Sequence, residues 1–123
     1  MKDEFEKLVE INKKLRVECP WDREQDFNTL KETVIDEAKE VVEAIEKEDY
    51  ENLKEELGDV LHNILFISNV AEEKDLFTIK DVIIAIEEKL IRRHPHVFGD
   101  EKALTPEDSV KIWEKVKEAE KNG

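Results

Sequence analysis

Four acidic side chains fall into two pairs with the same spacing, and together they could hold a divalent cation. Glu37 and Glu40 are three residues apart, as are Glu56 and Asp59. At about 100° per residue, each pair lies on one flank of an amphipathic helix, beside the stripe that faces the core. Asn63 shares the flank of Glu56 and Asp59. If the two helices pack antiparallel, the four carboxylates can converge at one rim of the core.

Such a meeting has one of two consequences, because like charges at close range repel. Either a cation binds among the carboxylates or some of them stay protonated. All-oxygen ligation suits Mg²⁺, Mn²⁺ or Ca²⁺ rather than zinc or copper. The chain has 33 acidic residues, so pairs at this spacing also arise as ordinary solvated or ion-paired helix faces. The spacing alone leaves both interpretations open.

Hydrophobic periodicity predicts five helices and no strand. The first is centred on residues 5–15, and an ordered loop follows over residues 17–27. The second begins at a capping box formed by Thr29 and Glu32 and runs to about Lys47. The third runs from about Asp49 to Ala71. The fourth begins near Thr78 and ends before residues 94–100, and the last begins at Thr105, where Pro106 occupies the first helical position.

The second and third helices carry the longest apolar stripes, which predict the buried faces of the bundle. The second helix has Val34, Ala38, Val41 and Ile45, widened by Ile35 and Val42, and the third has Leu53, Leu57, Val60, Leu61, Ile64, Ile67 and Ala71. Residues 64–67 are apolar nearly all round, which favours burial on more than one side. The predicted fold is therefore an all-α bundle with two long central antiparallel helices, completed by dimerisation.

Composition limits the kinds of partner that we expect. The 123 residues suit one domain, and a net charge of −13 disfavours nucleic-acid polymers and anionic membranes as partners. Cys19 is the only cysteine, which excludes an internal disulfide and favours a reducing compartment. The sequence shows neither a signal-peptide pattern nor a run long enough to span a bilayer. We therefore expect a soluble cytoplasmic protein, with residues 1–123 forming one domain.

The acidic segments resemble the MazG-type nucleoside triphosphate pyrophosphohydrolases. The family signature is Glu-Glu-x-x-Glu followed by Glu-x-x-Asp on the next helix, and this sequence has Asp36-Glu37-x-x-Glu40 and Glu56-x-x-Asp59. Asp36 is shorter than the signature glutamate, so it is left out of the expected ligands. The segments CPWDREQ and KLIRRHPHVFGD are also similar to the family. The resemblance runs from about Leu15 to the last helix.

The resemblance implies Mg²⁺-dependent hydrolysis of a nucleoside triphosphate, with Mn²⁺ as a possible substitute. Cleavage between the α and β phosphates would give a nucleoside monophosphate and pyrophosphate, which suits house-cleaning of nucleotide pools. Glu37, Glu40, Glu56 and Asp59 match the family's metal ligands. A homodimer or higher homo-oligomer is implied as well. Many relatives carry two such domains in tandem, whereas this sequence has one.

Six further residues are candidates for contact with the substrate. Lys89 and Arg93 match family positions implicated in substrate contact, although cations at a helix C-terminus are also stabilising without any ligand. Trp113 and Lys117 lie one turn apart on the last helix and are suggested to close over the substrate; the alternative is a packed tryptophan beside a surface lysine. The resemblance implies that Trp21 lines the nucleotide site. The alternative is that Trp21 only anchors its loop by packing. Asn63 is either a partner of Asp59 and the substrate or an amide bonded within the bundle.

The sequence thus predicts a metal-dependent nucleoside triphosphate pyrophosphohydrolase. The alternative is an acidic helical module for interaction or regulation that binds metal or nucleotide without turnover. The three histidines have no zinc-like spacing, and Cys19 has no evident partner for a nucleophilic thiol.

Overall fold

Helix-forming residues dominate the chain, and the computed structural model, which describes residues 1–123, contains seven α-helices and no β-strand. The prediction of an all-α fold with five longer helices is confirmed, and two short helices are added. The helices are α1 (Lys2–Glu18), α2 (Pro20–Arg23), α3 (Phe27–Glu46), α4 (Tyr50–Glu73), α5 (Ile79–Arg93), α6 (Pro95–Phe98) and α7 (Pro106–Asn122). None of them is both long enough and apolar enough to cross a lipid bilayer.

Helix termini follow local capping chemistry, with one correction to the sequence prediction. The N-cap predicted at Thr105 is confirmed, and Pro106 begins α7. The third helix was predicted to begin near Asp49, and the Asp49 side chain caps α4 there. The cap at Thr29 is wrong, because α3 begins two residues earlier at Phe27. Asp26 caps that helix: its side chain accepts from the Thr29 amide at 2.9 Å, while the Thr29 hydroxyl accepts from the Asp26 amide at 3.0 Å. Asp26 and Thr29 therefore satisfy two helix-end donors reciprocally.

The chain forms two compact units, Met1–Ile79 and Lys80–Gly123. In the first unit α3 and α4 make the most extensive helix pair, and α1 packs on α4 and α2. Leu30 packs against Phe66 and Val70, near the start of α3 and the end of α4. Because early residues of α3 meet late residues of α4, the two helices are antiparallel, as predicted. The connection between them is short, and Glu48 takes a left-handed backbone conformation there with φ 55°.

The predicted buried stripes of α3 and α4 are only partly correct. Phe66, Val70 and Leu30 form the core of the first unit, with Phe27 and Ile67 packed on it. By contrast, much of the predicted stripe is exposed, including Val34, Ile35, Val42 and Ile45 on α3 and Leu57, Leu61 and Ile64 on α4. The reason is geometric: each helix is apolar over an arc wider than its partner helix covers. The core uses one edge of that arc, and the rest faces outward.

In the second unit, salt bridges and ring contacts join the end of α5 to α7. Arg92 and Arg93 both pair with Glu120 at 3.2 Å. The Arg93 guanidinium also lies 5.2 Å from the centre of the Trp113 ring. The short helix α6 packs on α7. These contacts fix the C-terminal turn of α5, where the sequence places its cations.

Candidate functional site

The antiparallel pairing of α3 and α4 brings the four predicted acids together. Glu37 and Glu40 project from α3 and Glu56 and Asp59 from α4, with one carboxylate oxygen from each lying within 4.8 Å of all the others. Glu37 and Glu56 are half-buried, whereas Glu40 and Asp59 are exposed. We call these four side chains the acid cluster. Asp36, the shorter residue in the signature, is exposed and lies outside it.

Crowding perturbs the protonation of the cluster. A hydrogen bond to the Glu40 side chain raises the pKa of Glu56 to about 7, helped by burial and by the charges of Glu40, Asp59 and Glu37. Burial raises the pKa of Glu37, and the charges of Asp59 and Glu40 raise it further. A hydrogen bond between two carboxyl groups requires a proton on one of them. Without a counter-charge, the cluster therefore retains protons that isolated glutamates would lose.

The composition of the acid cluster fits a hard divalent cation. Its donors are all oxygens, which is the ligand type of Mg²⁺, Mn²⁺ and Ca²⁺. Glu37 Oε2 and Glu56 Oε2 are enclosed and have no hydrogen-bond partner. No lysine, arginine or histidine forms an ion pair with any of the four acids. An enclosed carboxylate oxygen without a partner is costly, and a cation would remove that cost.

A cleft of about 170 Å³ adjoins the acid cluster. It lies among α2, α3 and α4, and two members of the cluster, Glu37 and Asp59, form part of its wall. Trp21 and Asn63, both predicted to contact the substrate, line it as well. The remaining lining residues are Asp22, Gln25, Leu30, Thr33, His62 and Phe66. The structure thus gathers four of the predicted site residues around one cavity.

Arg16 of α1 holds the segment that forms one wall of this cleft. Its Nη1 donates to the Asp22 carbonyl at 2.6 Å and to the Gln25 carbonyl at 2.8 Å. Its Nε donates to a Glu73 carboxylate oxygen at 2.7 Å. The planar guanidinium thereby ties α1, α2 and α4 together with directional bonds. The segment carrying Trp21 and Asp22 is consequently an anchored wall.

The other four predicted substrate residues lie in the second unit. The charges of both Arg93 and Lys117 contact the Trp113 ring, with Lys117 Nζ 4.9 Å from its centre. Arg93 is mostly buried and already pairs with Glu120. Lys89, one turn before Arg93, is exposed and has no ion-pair partner. Lys89 and Lys117 are thus the two cations of the group that no acid neutralises.

Sequence reasoning missed three residues that shape these features. Arg16 carries no periodic signal of its role, because its partners are backbone carbonyls on another segment. Asp22 follows Trp21 in the CPWDREQ segment, and its burial depends on the tertiary placement of α2, which packs on α1. Glu120 is one of many acids on α7, and only the structure shows that it pairs with both arginines.

Fold and site together define an all-α protein with an oxygen-only candidate cation centre between two antiparallel helices. The chain belongs to the MazG nucleotide pyrophosphohydrolase domain family, whose model matches residues 25–98, more than half of the chain. The match includes all four acids and crosses the boundary between the two units.

Named relatives and a solved structure agree with this assignment. The chain is 50% identical over 119 residues to a Thermotoga maritima protein named "Nucleoside triphosphate pyrophosphohydrolase/pyrophosphatase MazG". It is 38% identical over 122 residues to the Escherichia coli K12 "Nucleoside triphosphate pyrophosphohydrolase". These alignments cover 95% and 97% of this chain but only 45% and 46% of the relatives, so the chain spans less than half of their length.

The solved structure is the crystal structure of a mazG-related protein from Thermotoga maritima. It superposes with a TM-score of 0.79 at 35% identity, and the match covers 92% of this chain and 98% of that one. The similarity therefore extends over almost the whole of both chains.

Proposed function

We propose that this protein hydrolyses nucleoside triphosphates, ribo or deoxy, to the monophosphate and pyrophosphate. The observation that carries the proposal is the acid cluster, in which four carboxylate oxygens meet within 4.8 Å and no cationic side chain pairs with them. Family membership and the names of the two relatives support the same reaction.

Glu37, Glu40, Glu56 and Asp59 would hold Mg²⁺, or Mn²⁺ in its place. A divalent cation bound there would offset the charge of the phosphates and favour ionisation of the attacking water. One of the four carboxylates would orient that water by accepting its hydrogen bond. Glu37 and Glu56 are half-buried, so their side chains are more restricted than those of Glu40 and Asp59. They are therefore better suited to orient the water.

We propose that the six predicted substrate residues contact the nucleotide. Lys89 and Arg93 would stabilise negative charge that develops on the leaving pyrophosphate. Trp113 and Lys117 would close over the bound nucleotide. Trp21 and Asn63 line the cleft beside the cluster and would contact the nucleotide there. Each role predicts a higher KM or a lower kcat on substitution by alanine.

The test is incubation of the purified protein with each NTP and dNTP in Mg²⁺, with separate assays for pyrophosphate and orthophosphate. Release of pyrophosphate supports the proposal, and release of orthophosphate alone rejects the cleavage position. Binding of Mg²⁺ and nucleotide with neither product would establish instead an acidic regulatory or interaction module that binds without turnover.

We further propose that the protein is a homodimer or higher homo-oligomer. Val34, Ile35, Val42 and Ile45 make an exposed apolar face on α3, which a monomer would present to water. Val42→Asp should lower the mass measured by light scattering, because it puts a charge in the middle of this face. An unchanged mass for Val42→Asp, or a monomeric wild-type protein, would contradict the assignment of this face.

Three broader expectations follow from the same proposal. We propose that the two compact units act as one domain, since the family model spans their boundary. We place the protein in the cytoplasm, where nucleotide pools are kept, and assign it a house-cleaning role. A rise in the cellular content of particular triphosphates on deletion of the gene would support that role, whereas unchanged pools would count against it.

A further inference from the structure

Two polar side chains are buried in the cleft beside the acid cluster without a partner. Asp22 is 8% exposed and Asn63 is 6% exposed. Both line the cleft, and neither the Asp22 carboxylate nor the Asn63 carboxamide hydrogen-bonds to another group of the chain. Neither side chain has a polar atom that is fully enclosed without a partner, so their polar atoms remain open to the cleft. Both are therefore available to hydrogen-bond a ligand that enters it.

Asp22 is separate from the acid cluster and differs from it in role. Its carboxylate is not among those that meet within 4.8 Å. A carboxylate offers two acceptor oxygens side by side and no donor. The complementary ligand group is a planar edge that presents two adjacent donors, as arginine does when it binds a carboxylate.

The shape of the cleft indicates which part of a nucleotide fits. Its volume of about 170 Å³ is below the roughly 300 Å³ at which sites begin to enclose a whole drug-sized ligand. Trp21 and Phe66 contribute aromatic walls, which suit a flat heterocycle better than a sugar. Glu37 and Asp59 form the end of the cleft next to the cluster, so a base here leaves its phosphates near the acids.

We propose that this cleft takes the nucleobase of the substrate and that Asp22 selects a base edge with two adjacent N–H donors. Guanine has such an edge in its N1–H and 2-amino groups. Hypoxanthine keeps N1–H and lacks the amino group, and adenine has no N1–H. This inference rests on the proposed function, because it assigns the base specificity of the same site. Asn63 would bond a neighbouring polar atom of the base with its carboxamide.

The first experiment compares GTP with ITP on the wild-type protein, since the two differ only in the 2-amino group. We expect kcat/KM for GTP to exceed that for ITP by about tenfold to a hundredfold, the usual effect of a hydrogen bond to a charged group. A ratio within twofold of one would overturn the proposal. The comparison needs no variant, so it stands even if substitutions at Asp22 disturb folding.

The second experiment uses Asp22→Asn, with Glu24→Gln as the matched control. Glu24 is an exposed acid two residues away, outside the cleft, so its replacement makes the same change in charge. Asp22→Asn should bring the GTP-to-ITP ratio close to one, whereas Glu24→Gln and Asp22→Glu should keep a preference for GTP. An equal loss of activity on both nucleotides with the ratio unchanged would contradict base selection.

Two binding measurements separate the possible failures. Calorimetry with Mn²⁺ alone should give the same affinity for wild type and Asp22→Asn, and a weaker affinity in the variant would make Asp22 a metal ligand instead. Calorimetry with GTP and with ITP measures base preference as a difference in binding affinity, so it can be done even if the protein has no activity. If no nucleotide yields pyrophosphate but GTP still binds more tightly through Asp22, the proposed reaction fails and the base assignment stands.

Discussion

Metal binding at the acid cluster should weaken as the pH falls below about 7, because Glu56 must lose a proton before it can serve as a ligand. A hydrogen bond to the Glu40 side chain, burial and the neighbouring charges of Glu40, Asp59 and Glu37 raise the pKa of Glu56 to about 7. All of these groups lie on α3 and α4, and no cationic side chain pairs with them. The cluster alone therefore sets this pH dependence.

The magnitude follows from competition between one proton and one cation. Below a pKa of about 7, the apparent association constant should fall about tenfold for each pH unit, and above about pH 8 it should be flat. At pH 6, roughly nine-tenths of Glu56 is protonated, so about one proton should be released for each cation bound. The raised pKa of Glu37 makes the loss of affinity steeper at lower pH.

The assay is isothermal titration of Mn²⁺ or Mg²⁺ between pH 5.5 and 8.5. Repeating each point in two buffers with different ionisation enthalpies gives the number of protons released. Glu56→Gln should weaken binding and flatten the dependence between pH 6 and 7.5, since glutamine cannot hold the competing proton. Glu55→Gln, at an exposed neighbour outside the cluster, should leave both unchanged.

An affinity that varies by less than twofold from pH 5.5 to 7.5 would refute this reasoning. Proton release well below one at pH 6 would refute it as well. Either result would mean that a metal binds without displacing a proton from the cluster.

Three further predictions concern the stability of the folded chain. Without metal, the melting temperature should fall as the pH rises from about 5 to 7.5, because a folded pKa above the unfolded value stabilises only while the proton is bound. Glu56→Gln should make this fall smaller, and the raised pKa of Glu37 accounts for the part that remains. Arg16→Met should lower the free energy of unfolding in urea by about 2–3 kcal/mol, because the Asp22 and Gln25 carbonyls lose their hydrogen-bond donor. A loss under about 0.5 kcal/mol, which is usual for surface changes, would contradict the anchoring role. Phe66→Ala should cost about 3–5 kcal/mol by leaving a cavity in the core, and a near-neutral result would show that the core repacks around it.

Helix positions were predictable from the sequence wherever the signals are local. Thr105 caps α7 as expected and α4 begins beside Asp49 as expected, because helix starts depend on a few residues that are adjacent in the chain. The failure at Thr29 has the same origin. Both Thr29 and Asp26 are good caps, and the reciprocal bonds between Asp26 and Thr29 decide in favour of the earlier start.

Burial was less predictable, because it depends on which part of a wide apolar arc a partner covers. Val42 and Phe66 are both apolar residues on amphipathic helices, yet Val42 is 51% exposed and Phe66 only 2%. Periodicity locates the centre of an apolar arc, but it does not predict which side of the arc will be buried. The antiparallel register of α3 on α4 makes that choice, and it also decides that Glu37 faces Asp59.

The acid cluster was partly predictable, because two i, i+3 pairs on matching flanks can meet if their helices pack antiparallel, although the spacing alone also fits solvated helix faces. The cleft beside it was not, since its floor and walls come from α2, α3 and α4 at once. Asp22 illustrates the difference. Its sequence neighbours give no sign of burial, and only the fold of α2, anchored by Arg16, places it in the cavity.

The central claim is that the acid cluster is the catalytic centre of a triphosphate pyrophosphohydrolase. The most direct test measures pyrophosphate release from the best nucleotide in Mg²⁺ by wild type, Glu40→Gln, Asp59→Asn and the exposed control Glu32→Gln. Both cluster variants should stay folded and lose about a hundredfold or more in kcat, while Glu32→Gln keeps full activity. Undiminished pyrophosphate release by folded Glu40→Gln and Asp59→Asn would contradict the account.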